Sequence, residues 1–100
     1  MEKKDFEGKI GETFTVSLQK GQTVDLKLEK VNPLPKVEGA DHVENLREEP
    51  FSLIFVGPED AYLSDNTYDM AVKGGEKEAI FISAFKSEKE KGIFYDAVFT

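Results

Sequence analysis

The sequence predicts an all-β domain, a small antiparallel β-sandwich or partly closed β-barrel of about six strands. Three observations carry this reading. Apolar residues recur at every second position in six short stretches. Turn-forming residues separate those stretches at short intervals. The stretch Pro50–Pro58, Pro-Phe-Ser-Leu-Ile-Phe-Val-Gly-Pro, is largely apolar on both faces of a strand, with Phe51, Leu53 and Phe55 on one and Ile54 and Val56 beside Ser52 on the other. Such a strand belongs in the middle of a fold, with material over both sides. Pro50 and Gly57-Pro58 mark its ends, because proline has no N–H to give to a ladder.

Residues 1–12 form a charged lead-in from which Phe6 is expected to tuck against the core; Gly8 and Gly11 disfavour a long helix there. Thr13–Leu18 alternates cleanly, with Phe14, Val16 and Leu18 facing one way and Thr13, Thr15 and Ser17 the other, as in a sheet with one wet face. Gln19–Gln22 reads as a hairpin turn with Gly21 free to take positive φ. Thr23–Val31 is the second strand and the hairpin partner of the first, placing Val24, Leu26 and Leu28 inward. Pro33 and Pro35 are expected to end it. Asn32–Pro50 reads as a solvated crossover between two sheets, with one short helix in Ala40–Glu49 that sets Val43 and Leu46 on one side. Long connections of this kind are often functional.

Phe51–Val56 is the third strand, and Gly57–Asn66 is a connection anchored by Tyr62 and Leu63. Thr67–Lys73 is the fourth, with Tyr68, Met70 and Val72 inward, and Gly74-Gly75 makes the next turn. Lys77–Phe85 is again apolar on both sides, Ala79, Phe81 and Phe85 opposing Ile80 and Ile82. Ser87–Gly92 is a charged turn. Ile93–Phe99 ends the series, with Ile93, Tyr95, Ala97 and Phe99 on one face and Phe94 and Val98 on the other. Closure into a barrel, or coverage by residues 32–50, would shelter the second faces of the third and fifth strands.

The 100 residues suit one domain spanning 1–100, and a 39% hydrophobic share with eight Phe and three Tyr is enough for a modest core. A net charge of −7 without a basic stripe argues against nucleic acid and, more weakly, against anionic membranes. Cysteine is absent, which removes disulfides, thiolate chemistry and cysteine metal sites. No apolar run reaches the length of a membrane span, and no h-region of a secretory signal is present. The expected location is the cytoplasm, or a particle assembled there.

No pattern points to an enzyme. His42 is the sole histidine and lies beside Asp41 and Glu44; a general base or single metal ligand is the functional reading, an exposed loop histidine the plainer one. No Gly-x-Ser-x-Gly elbow presents a nucleophile to it. The carboxylates of Glu59, Asp60, Asp65 and Asp69 could gather calcium, but their spacing is not that of an EF-hand loop and they read as solvated. The glycines form no phosphate cradle. The alternation of the aromatics suits core packing better than a stacking platform. No cofactor or metal is predicted.

Gly11-Glu12-Thr13-Phe14, the Leu26 and Leu28 strand, Pro50–Pro58, Tyr68, Ile80-Phe81 and Tyr95-Asp96-Ala97-Val98-Phe99 together resemble a family of short bacterial proteins of unknown function. That family shows a GETF start, a PFSLxFxGP centre, a Tyr strand, a Leu-Phe strand and a terminal YxAVF. This chain departs from it at Ser83-Ala84, where proline is common, and at Thr100. The resemblance implies an accessory or assembly role beside tail-collar or tail-fibre-like proteins of phage-related particles, and it implies no active site. The leading expectation is thus a non-enzymatic structural or protein-interaction module. Its contacts are expected in the two loops, at Asp41, His42, Glu44, Arg47, Glu59, Asp60, Tyr62 and Asp65. The alternative is a small barrel binding an apolar ligand inside; a third reading is a hydrolase using His42.

Overall fold

Strands that are each apolar on one face can hide those faces by closing into a ring, and six strands do so here. The computed structural model describes residues 3–34, 50–72, 74–86 and 91–99. A short helix, α1 (Lys3–Glu7), precedes β1 (Thr13–Ser17), β2 (Thr23–Pro33), β3 (Phe51–Gly57), β4 (Asn66–Val72), β5 (Glu78–Phe85) and β6 (Ile93–Phe99). The strands form a closed antiparallel barrel in the order β1-β2-β3-β6-β5-β4, with β4 returning to β1. The fold is therefore the barrel, not the sandwich.

Alternation decides what lies inside. Phe14 and Val16 of β1, Leu26 and Leu28 of β2, Leu53 and Phe55 of β3, Met70 of β4, Ile80 and Ile82 of β5, and Tyr95 and Ala97 of β6 are all buried in one cluster. The β2–β3 register shifts between Leu28 and Lys30, so Glu29 is an extra residue in β2. That bulge reverses the alternation, turns Lys30 outward opposite Ile54, and brings Val31 inward opposite Leu53. Two residues stop the ends. Phe6 of α1 packs against Phe14, Phe51 and Phe99, with ring centroids 6.3, 5.8 and 5.7 Å away, closing the end where β1 begins. Leu63 is buried at the opposite end.

Two expectations change. β2 continues through Pro33, because the ladder to β3 extends to Pro33 opposite Phe51. β2 and β3 are direct antiparallel neighbours in one barrel, so the two strands expected to lie in separate sheets pair with each other; Leu34 N–H donates to the Pro50 carbonyl at 2.9 Å, bringing the two ends of the connection together. The helix expected within residues 40–49 lies outside the described residues. The lead-in forms one turn of helix, too short to conflict with Gly8 and Gly11, and Phe6 is buried as the pattern requires.

Gly57 is where the barrel leaves no room. A Cβ there would sit 2.5 Å from Leu26 Cδ2 and 3.3 Å from Tyr95 Cε2, and both side chains are fully buried. Gly57→Ala is expected to destabilise the fold by about 2 kcal/mol through overpacking. Phe6→Ala, which removes the plug, is expected to cost about 3 kcal/mol. Urea unfolding of both variants checks these values.

Candidate functional site

The connection from β3 to β4 is one of the two expected contact loops, and two of its carboxylates are occupied by backbone amides. Glu59 Oε1 accepts from the Gly92 N–H at 3.0 Å, tying the loop to the start of β6. Asp65 Oδ1 accepts from the Ala84 N–H at 2.8 Å. Asn66 is the last β4 residue paired with β5, opposite Ile82, so the Asp65 carboxylate takes the place of a carbonyl one step beyond the ladder. The buried Tyr95 hydroxyl accepts from the Leu63 N–H at 3.0 Å, and Tyr68 donates to the Ser64 carbonyl at 2.8 Å. Burial pushes the Tyr95 phenol up from its ordinary range. Asp60 and Tyr62 stay exposed. Asp41, His42, Glu44 and Arg47 lie outside the described residues. Among the described residues no acidic or histidine cluster is arranged to hold a metal ion, and Glu59 and Asp65 are committed to separate backbone amides.

The outer wall has two distinct sides. Over β2, β1 and β4 the outward residues include Asp25, Lys27, Thr15, Ser17, Thr67 and Asp69, and Thr15 donates to Asp25 at 3.2 Å. Over β3, β6 and β5 the outward residues are Ser52, Ile54 and Val56, then Phe94, Asp96 and Val98, then Phe81, Ser83 and Phe85. Phe85 stacks on Phe94 at 5.6 Å and leaves Phe94 buried although it points outward. Phe81, Val98 and Phe85 remain 56%, 55% and 42% exposed. Large apolar side chains grouped on one wall call for an explanation that scattered ones do not.

The wall is also incompletely knitted. β3 and β6 pair over seven positions, whereas β5 and β6 pair over three, from Ser83–Asp96 to Phe85–Phe94. Among the described residues no ladder joins 78–82 to 97–99. Phe81 and Val98 flank this seam.

Asp96 sits in the middle of the apolar wall, between Ile54 on β3 and Ser83 on β5. Among the described residues its carboxylate has neither a hydrogen-bond nor an ion-pair partner. Burial raises its pKa above the ordinary carboxylate range. A sequence reading that sorted residues by apolar alternation passed over it. The available signal was a carboxylate at an outward position between two outward apolar residues, Phe94 and Val98.

A concavity of about 260 Å³ lies between α1 and the β4–β5 turn, with Phe6, Phe14, Met70 and Ile80 as its floor and Glu76 and Glu78 at its rim. Its floor is made of core side chains and includes Phe6, which stops that end of the barrel.

Two outcomes are expected from these groups. Tyr95→Phe leaves the buried Leu63 N–H without its acceptor, which costs about 1–2 kcal/mol and speeds hydrogen exchange at Leu63. The raised Asp96 pKa means that the folded state holds this proton more tightly than the unfolded chain does. Its contribution to stability therefore falls as pH rises from the unfolded carboxylate value to the folded one, and the full penalty applies above both. Asp96→Asn is expected to melt higher than wild type at pH 7, with the advantage disappearing in acid. Thermal unfolding across pH checks it.

Comparison with curated proteins found no match, and comparison with solved structures found none. A family model does match, over residues 1–99, and its description is a domain of unknown function. The chain belongs to that family, DUF6916, and has the form of a six-stranded closed barrel.

Proposed function

We propose that this domain works by binding another protein and catalyses no reaction. The observation that carries the reading is the grouping of Phe81, Phe85 and Val98, all exposed, on the outer wall of β5 and β6. Aromatic side chains on a rigid sheet give large contact area at little entropic cost on binding. The polar wall over β2, β1 and β4 supplies the opposite, solvated side and weighs against a lipid-facing barrel, whose exterior would be apolar all round. The partner we propose, from the sequence resemblance, is a collar- or fibre-like component of a phage-tail-like particle. Tyr62, 63% exposed at the Leu63 end of the barrel, and Asp60 are further contact candidates.

The interior offers little to the ligand-binding alternative. A six-stranded barrel is narrower than eight-stranded ones, whose lumens side chains already fill. Here Val16, Leu28, Leu53, Phe55, Ile82 and Tyr95 have no exposed surface.

The test compares the wild type with a Phe81→Thr/Val98→Thr variant as bait in native host lysate, with quantitative mass spectrometry. Thr keeps the β preference while removing the apolar surface, so the variant should unfold within about 0.5 kcal/mol of wild type. A protein retained by the wild type and lost from the variant is the expected result. Equal retention of the same proteins by both baits would refute a role for this wall.

A further inference from the structure

We propose that Asp96 is the polar anchor of this wall, and that the wall takes a polypeptide segment carrying an arginine or lysine between apolar side chains. This rests on the protein-binding reading and names the chemistry of the partner. Phe94 and Val98 lie two residues to either side of Asp96 on β6, with Ile54 and Ser83 beside it on the neighbouring strands. None of these supplies a positive charge. Lys30 lies one strand further, opposite Ile54 on β2, and forms no ion pair among the described residues. A half-buried carboxylate without a countercharge is a cost to the isolated fold. A cation brought by a partner would remove that cost, and binding would desolvate the pair further and strengthen it.

The apolar surroundings complete the match. The methylene stem of an arginine or lysine can lie along Val98 and Ile54 while its head reaches Asp96, and flanking apolar residues of the same segment cover Phe81 and Phe85. A second copy of this chain fits poorly. A two-fold interface through this wall would bring two Asp96 carboxylates to one contact without a cation between them, on molecules that each carry a net charge of −7.

The experiment pans random linear peptides displayed on phage against the wild-type protein. A synthetic peptide of the enriched consensus is then titrated into wild type, Asp96→Asn and Phe81→Thr. The expected consensus has Arg or Lys flanked by apolar residues. Its affinity should fall about tenfold or more for Asp96→Asn, as when one partner of a desolvated charge pair is removed. It should fall for Phe81→Thr as well, and binding should shift the amide resonances of Ser83 and Asp96. Because Asp96→Asn is expected to melt higher than wild type, lost binding would not reflect lost folding. A consensus without a basic residue, or equal binding to Asp96→Asn alongside loss in Phe81→Thr, overturns the anchor and leaves the protein-binding wall standing. Failure to enrich any peptide, or a consensus insensitive to both variants, removes the wall as a peptide-docking site and the anchor with it. A dimer seen by light scattering and dissolved by Phe81→Thr would assign the wall to a second copy and overturn the inference.

Discussion

A ring of six strands has one interior, and it is narrow. Each strand can send only its alternate side chains into it, and there they must interdigitate. Phe14 meets Phe55 edge-on at 5.2 Å, and Leu26 and Tyr95 close in so far that position 57 has space for nothing beyond glycine. The Glu29 bulge follows from the same constraint: without an extra residue in β2, Lys30 would take the inward place that Val31 occupies. The ring's two ends need stoppers, which come from outside the strands, as Phe6 and Leu63.

Closure also leaves backbone groups without partners wherever neighbouring strands end at different heights. Side chains take over there. Asp65 continues the β4–β5 ladder to Ala84, Glu59 reaches Gly92, and Tyr95 holds Leu63 from inside the barrel. An acidic loop that reads as solvated or metal-binding thus spends two of its carboxylates on backbone amides. Of the candidate contacts in this loop, only Asp60 and Tyr62 remain exposed without such a structural task.

The wall is where the surface departs from what the isolated fold would favour. Phe81 and Val98 are exposed although they are apolar, and Asp96 is half-buried although it is charged. Both departures go against the isolated fold, and both would be relieved by a partner offering apolar surface and a positive charge. Departures of this sort from otherwise consistent patterning concentrate at functional places.

The strands and the inward rows were legible in the sequence because period-two alternation survives in five of them and in β2 as far as the Glu29 bulge, and turn residues separate them. Phe6 could be picked out because it is a lone aromatic in a charged segment. What the sequence could not decide was the outside of the barrel. Phe81 and Phe85 look like core aromatics beside Ile80 and Ile82, and only closure of the ring settles which of the two faces is inside. Nor could it reveal the jobs of Glu59, Asp65 and Asp96, since these depend on which amides or apolar neighbours lie across from them, 33, 19 and 42 residues away in Gly92, Ala84 and Ile54. Local alternation is written residue by residue along the chain. Strand order and register are not, and they alone decide which carboxylate meets an amide and which is left on an apolar wall.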